Sequence, residues 1–303
     1  MNSTTAIAIL RPVWQVRARD YLELTRPRIA TLVLVTTAVS LALAQWGNFQ
    51  WLVLLHTLVG TGLVAASASA INQWIERRSD AEMPRTAERP LPAGRLSGAE
   101  VLTLGTVALV LGSVYLALAV GWEPAVWALA TWLIYIALYT PLKSKTQLNT
   151  AVGAVSGALP VFIGWSAAGM GGSPLTDLRA WGLFTVLFLW QFPHFMAIAW
   201  LYRDDYRRAG LQMASVVDPS GGQAGWQSVW GAVLLLPVSL VPALAIPGSS
   251  AYMLLACLLG VLQLAAAVAF WRRRDNLSAR RLLRATLIYI PALFFALLLV
   301  PLL

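Results

Sequence analysis

From Val101 to Val120 the chain reads VLTLGTVALVLGSVYLALAV, twenty residues without a single charge. A helix rising about 1.5 Å per residue covers the roughly 30 Å hydrocarbon layer of a bilayer with such a run. A helix on the surface of a soluble domain would interrupt it with polar residues on one face. The same ruler, cut at charges, Gly/Pro positions and Trp belts, divides the rest of the chain. Nine segments result, near 29–46, 49–71, 100–120, 124–142, 150–168, 181–202, 226–247, 250–271 and 283–302. The expected fold class is all-α, a polytopic membrane protein with nine transmembrane helices. Residues 1–28 are read as a cytoplasmic N-terminal segment and residues 29–303 as one membrane-embedded domain.

Composition supports this reading. Hydrophobic residues make up 58% of the 303 positions and charged ones 12%, against about 25% charged in a soluble domain. The formal charge of +9 would suggest nucleic acid in a soluble protein, but in a membrane protein it first reports topology. The basic residues sit before the first segment (Arg11, Arg17, Arg19, Arg26, Arg28) and after every even-numbered one. Those later groups are Arg77 to Arg95, then Lys143 and Lys145, then Arg203 to Arg208, then Arg272 to Arg284. Only Arg179 falls on the opposite side. The expectation is a cytoplasmic N-terminus and no nucleic-acid partner. Cys257 is the single cysteine, which excludes an intrachain disulfide framework and a Cys-based metal site. The apolar patch Ala6 to Leu10 is too short for a signal-peptide core. A mitochondrial presequence is the weaker alternative, so the bacterial cytoplasmic (inner) membrane is expected ahead of the mitochondrial inner membrane.

Polar residues at membrane depth are costly and mark candidate sites. The end of the second segment carries Asn72, Glu76 and Asp80. At about 100° per residue they lie within about 80° of one another and span roughly 12 Å of one helix face. An amide and two carboxylates are hard oxygen ligands suited to Mg²⁺, which keeps several waters and bridges to phosphates. Arg85 and Arg89 follow, able to hold the same anion through forked hydrogen bonds. A solvated helix end with local ion pairs is the plain alternative. After the fourth segment, Tyr139 and Lys143 offer a donor and a point charge, while Lys145 is read as a topology anchor. The sixth segment carries His194, and Asp204 and Asp205 follow just after it. If one helix runs through, His194 and Asp205 share a face within about 20°. His194 reads equally as a histidine satisfied by neighbouring helices or as a substrate contact, and His56 as structural. Two facing carboxylate clusters with Arg and Lys around them suggest a diphosphate head met by Mg²⁺, with a hydrocarbon tail lying between helices. Trp165, Trp190, Phe192 and Phe195 are available to shield an allylic cation from water.

These residues resemble the membrane prenyltransferases of the UbiA superfamily, and within it the branch that farnesylates haem. The resemblance runs over most of the chain. Its carriers include Leu24 to Ile29, Asn72 through Glu76, Asp80, Met83, Arg85-Thr86 and Arg89-Pro90-Leu91, and Tyr139 to Lys143 with Asn149-Thr150. Gly157 to Pro160, Gly164-Trp165, Trp190 to Phe195 and Asp205 to Gly210 complete it. Two stretches are specific to the haem branch, Met83-Pro-Arg85-Thr86-Ala-Glu-Arg89-Pro90 and Trp190-Gln-Phe-Pro-His194-Phe195. Glu76 departs from the superfamily's usual Asp, and the second motif is not a clean Asp-x-x-x-Asp.

The resemblance implies a UbiA-like bundle with a central cavity open to the cytoplasmic side. It implies that farnesyl diphosphate is ionised and that its C1 joins the 2-vinyl group of haem b, with water added, giving haem O and diphosphate. The implied cofactor is Mg²⁺, two ions bridging the diphosphate, one on Asn72, Glu76 and Asp80 and one on Asp205 with Asp204. Arg85, Arg89 and Lys143 would bind diphosphate, with Arg26 and Tyr139 as further candidates, and His194 would face haem b. Membrane lipid and a haem A synthase or oxidase assembly protein are the implied partners. A 4-hydroxybenzoate-type aromatic prenyltransferase and a non-catalytic haem carrier are the competing readings.

Overall fold

A computed structural model describes residues 13–45, 48–169, 173–244 and 248–299, and these are helical with no strand among them. Among the described residues nine helices are long and apolar enough to cross a membrane, so this is a multi-pass membrane protein. They are α2 (Pro27–Ala44), α3 (Trp51–Ala81), α5 (Gly98–Ala119), α6 (Trp122–Leu142), α7 (Asn149–Ala167), α8 (Leu178–Leu201), α11 (Gly222–Ala243), α12 (Ser250–Arg273) and α13 (Asn276–Leu299). A shorter helix, α1 (Val13–Leu24), precedes them, and three others lie between them: α4 (Pro84–Ala87), α9 (Arg203–Arg208) and α10 (Ala214–Val217). The nine segments read from the sequence are all present. The apolar patch Ala6 to Leu10 and Arg11 lie outside the described residues.

The outer surface is apolar, as lipid requires. Val107, Val110, Leu111, Val114 and Leu118 of α5 and Leu254, Leu258 and Val261 of α12 are all exposed. In a soluble protein such patches would aggregate. Inside, α3 packs along α5, α2 along the second half of α7, and α8 against α7, α11 and α13. α8 is therefore the wall shared by an α2–α7 side and an α11–α13 side. Small residues set the close approaches, as they do where helices lack a hydrophobic drive to associate. A Cβ on Gly164 would overlap the Thr37 carbonyl oxygen of α2, and one on Gly157 would overlap the Gln191 side-chain oxygen of α8.

Three local departures position the site. α3 does not end at the membrane boundary but runs on to Ala81, so Asn72, Glu76 and Asp80 stay on one helix. α6 widens into a π turn over Ile134–Tyr139, just before Pro141, and such turns re-aim side chains at functional positions. α8 stops at Leu201, where Tyr202 takes φ −112° and ψ 22°, and α9 begins at Arg203. The helix expected to carry both His194 and Asp205 is thus interrupted, and the shared-face argument for that pair does not hold.

Candidate active site

The site grows from the last turns of α3. Its three polar residues stack on one face, and each receives a base from a different part of the chain. Arg26 Nη1 donates to Asn72 Oδ1 at 2.9 Å. Lys143 Nζ donates to Glu76 Oε1 at 2.6 Å, and Arg89 Nη1 to Asp80 Oδ2 at 2.6 Å. Asn72 and Asp80 are buried, and the Glu76 and Lys143 side chains are each only 12% exposed. In such surroundings the ion pairs are weakly screened, and losing one partner strands a charge.

Each base is held by its own support. Arg26 sits between α1 and α2 in the left-handed region, φ 47° and ψ 64°, with Pro27 starting α2 behind it. A non-glycine residue held there is a strained one, of the kind that clusters at functional sites. Its Nε and Nη2 are buried with no hydrogen-bond partner. Two unpartnered guanidinium donors beside a polar helix face are of a kind suited to holding an anion. The Asn72 amide is oriented in turn by Thr140, whose Oγ1 accepts from Asn72 Nδ2 at 3.0 Å and donates to the Tyr135 carbonyl at 2.8 Å. Thr86 donates to the Asp80 carbonyl at 2.7 Å, fastening the turn that brings Arg89 back to the helix. The Lys143 carbonyl accepts from the Gln212 amide at 2.7 Å, and the Gln212 carbonyl from Asn149 Nδ2 at 3.0 Å. These bonds tie the α6–α7 connection to the segment after α9.

Charges then act across the cluster. Burial holds the Arg89 guanidinium below its ordinary value, and neighbouring Arg26 adds to this against the pull of Asp80. Burial alone would also lower the Lys143 ammonium, but the Glu76 carboxylate outweighs it and holds that ammonium above the usual lysine range. Burial pushes the Tyr206 phenol up, against the opposing charges of Arg85 and Lys143. Tyr206 is a residue for which the sequence suggested no role. Arg85 lies 4.7 Å above the Tyr202 ring and Lys143 4.5 Å above Tyr139. A cavity of about 120 Å³ adjoins this edge, lined by Tyr139, Phe195, Ile198 and Tyr206 among others.

The remaining candidates separate. The Asp205 carboxyl is 17% exposed and pairs with Arg208 at 2.5 Å, whereas Asp204 is 69% exposed and pairs with Arg207 at 3.0 Å. His194 faces α13, its Nδ1 2.9 Å from Thr286 Oγ1. His56 is satisfied by the Tyr115 hydroxyl at 2.6 Å, as its structural reading expected. Of the four aromatic residues, only Phe195 lines the cavity. Trp165 lies 5.2 Å beneath Arg179, the one basic residue assigned to the opposite face of the membrane. Phe192 packs on Phe188 and Trp230, and Trp190 on His194. Among the described residues no three His, Cys, Asp or Glu side chains converge as a metal cluster. The α3 ladder, with one amide and two carboxylates, fits a hard cation that keeps water and shares a bridging anion. Arg26 Nε and Nη2, buried without a hydrogen-bond partner, lie beside this ladder.

Fold and site together define a multi-pass membrane protein with a buried, predominantly basic cluster at one end of its bundle. The chain belongs to the UbiA prenyltransferase family, whose model matches residues 33–299. It is 45% identical over 278 residues to a protoheme IX farnesyltransferase of Rhodopirellula baltica, covering 89% of this chain and 96% of that one. It is 43% identical to the protein of the same name from Solibacter usitatus, covering 91% and 96%. The fold matches a solved digeranylgeranylglyceryl phosphate synthase with a TM-score of 0.77 at 16% identity, covering 94% of this chain and 98% of that one. It also matches a UbiA homolog from Archaeoglobus fulgidus bound to DMAPP and Mg²⁺, with a TM-score of 0.72 at 17% identity, covering 92% and 99%.

Proposed function

We propose that this protein transfers the farnesyl group of farnesyl diphosphate to the 2-vinyl group of haem b, giving haem O and diphosphate. The observation that carries the reading is the α3 ladder, in which Asn72, Glu76 and Asp80 face Arg26, Lys143 and Arg89 at hydrogen-bond distance. The names and coverage of the curated relatives support the choice of substrates.

In the transfer, the C1–O bond breaks with its electron pair leaving on diphosphate, and the vinyl π electrons form the new bond to C1. Water adds to the carbon left cationic and releases a proton. No protein nucleophile is required. The protein's task is to neutralise the leaving group and to exclude stray water. Arg26, Arg85, Arg89 and Lys143 would bind diphosphate, with Tyr139 and Tyr206 bordering it. Glu76 and Asp80, with Asn72, would hold Mg²⁺, and Asp205, with Asp204 at the solvent edge, a second ion. Bound Mg²⁺ supplies charge neutralisation of the departing diphosphate. Because these acids and bases are paired with one another, ligand entry exchanges partners: bases turn from carboxylates to phosphate oxygens. His194 is assigned to the haem side. The site opens to the cytoplasm of a bacterial inner membrane, where a haem A synthase or an oxidase assembly factor would take the product. Residues 1–28 form the cytoplasmic segment and residues 29–303 the catalytic domain.

The test is Asp80→Ala, with haems extracted from expressing membranes and separated by chromatography. Haem O is expected to fall by about 100-fold or more, the scale of losing one preorganised charge-stabilising group, while haem b binding persists. Unchanged haem O would refute the reading. Conversion of 4-hydroxybenzoate in place of haem b would replace the acceptor.

A further inference from the structure

The pairing of His194 with Thr286 determines which nitrogen of the imidazole is free. Thr286 has one hydroxyl proton, and it is donated to the Leu283 carbonyl at 2.7 Å. Its oxygen can therefore only accept at the second contact, from His194 Nδ1–H at 2.9 Å. In the neutral imidazole this places the proton on Nδ1 and leaves the lone pair on Nε2. Among the described residues Nε2 has no hydrogen-bond partner, and it is not one of the sealed, unpartnered atoms.

The ring is also fixed in plane. His194 stacks on Trp190 at 4.7 Å with 21° between planes, and Trp190 Nε1 donates to the Thr286 carbonyl at 2.8 Å. The two oxygens of one buried threonine thus hold two neighbouring aromatic rings. Pro193 precedes the histidine, and α11 approaches it through Gly231, where an added Cβ would lie 3.1 Å from Pro193 Cδ. On its other side His194 lies 5.7 Å from Phe195, which lines the cavity. A neutral imidazole in an apolar setting, with Nδ1–H tied to an oxygen and Nε2 bare, is the arrangement of a histidine prepared to ligate a metal.

We propose that Thr286 is a positioning residue for the porphyrin substrate: it fixes the tautomer and plane of His194 so that Nε2 ligates the iron of haem b axially. This rests on the haem-farnesylating function proposed above. Ligation at the iron would leave the vinyl edge of the ring as the part to be turned toward the cavity, and no residue need grip the vinyl group itself.

The experiment titrates haem b into the purified full-length protein in lipid nanodiscs and follows the Soret and visible bands. The wild type is expected to give a saturable shift with the bands of imidazole-ligated haem. Thr286→Val removes the hydroxyl at nearly constant volume. It should weaken haem binding about tenfold or more, the range for losing the group that orients a ligating histidine, and should shift the bands away from imidazole ligation. Thr286→Ser should restore both. His194→Ala should lose the imidazole signature, and adding Thr286→Val to it should change nothing further. A Thr286→Val protein that titrates like the wild type overturns the proposal, as does an equal loss of affinity in the His194→Ala background. If the valine variant does not fold, Thr286→Ala serves in its place under the same criteria. No saturable shift in the wild type would overturn the haem reading as well. A normal wild-type shift with an indifferent Thr286 would overturn the positioning role alone.

Discussion

Arg26 concentrates the conflict between stability and function in one residue. Its left-handed backbone costs on the order of 1–3 kcal/mol, a cost that glycine would not carry. Arg26→Gly should therefore leave the unfolding midpoint near that of the wild type despite the lost bond to Asn72. It should raise the KM for farnesyl diphosphate by about 10–100-fold, the equivalent of one or two charged hydrogen bonds. Steady-state kinetics beside a thermal melt will show whether the two effects separate. Lys143 behaves in the opposite sense. Its ammonium is held above the ordinary range, so its contribution to stability is complete below the unfolded value of about 10.4. That contribution is lost only as pH rises through the still higher folded value. Lys143→Met should lower the melting midpoint by the same amount at pH 7 as at pH 9, and a gap that closes by pH 9 would contradict the pairing with Glu76. Much of this site was legible in the sequence. Asn72, Glu76 and Asp80 recur at four-residue spacing, and helical geometry alone puts them on one face. Their partners were not legible as partners. Arg26 and Lys143 reach the ladder across 46 and 67 residues of chain, and Tyr206 enters only because α8 breaks before it.

At the scale of elements, the nine spans were readable because lipid demands long apolar helices, whereas their irregularities depend on packing. The π turn of α6, the stop at Tyr202 and the docking of α1 leave no periodic signal. α1 is clamped by buried Asp20, whose Oδ1 accepts from Arg95 Nε at 2.9 Å, and by Arg17 and Tyr21 on Glu100. Since α1 ends two residues before Arg26, Asp20→Asn should loosen the helix and raise the KM for the diphosphate substrate with little change in kcat. Limited proteolysis near Arg17 will report the loosening independently. Glycine placement gives a sharper contrast. Gly164→Ala puts a methyl group onto a backbone carbonyl of α2, while at Gly62 the nearest atom is Leu34 Cδ2 at 3.8 Å. Only the first should depress folded yield and melting midpoint in detergent, by the 1–3 kcal/mol or so typical of overpacking. Equal behaviour of the two variants would show that the α2–α7 contact yields easily.

For the whole molecule, orientation decides which compartment supplies the charged substrate. Twenty-one of the twenty-two Lys and Arg residues lie in the N-terminal segment or in the regions from the last turns of α3, α6, α8 and α12 onward, and Arg179 stands alone at the start of α8. Since α3 and α6 bring Asn72, Glu76, Asp80 and Lys143 to that same basic end, an orientation with the basic end inside, as the positive-inside rule expects, would put the site there too. A diphosphate cannot cross the hydrocarbon layer unaided, whereas a prenyl tail can lie within it, so a cytoplasmic mouth would let the headgroup enter from water and the tail from lipid. The single native cysteine makes the orientation testable. In a Cys257→Ser background, Thr176→Cys and Lys145→Cys place one thiol at an exposed position on each face. A membrane-impermeant maleimide applied to intact spheroplasts should label Thr176→Cys at once and Lys145→Cys only after the membrane is opened. The reverse order would put the basic end outside, and with it the entire acid–base cluster, leaving the site without access to a cytoplasmic diphosphate.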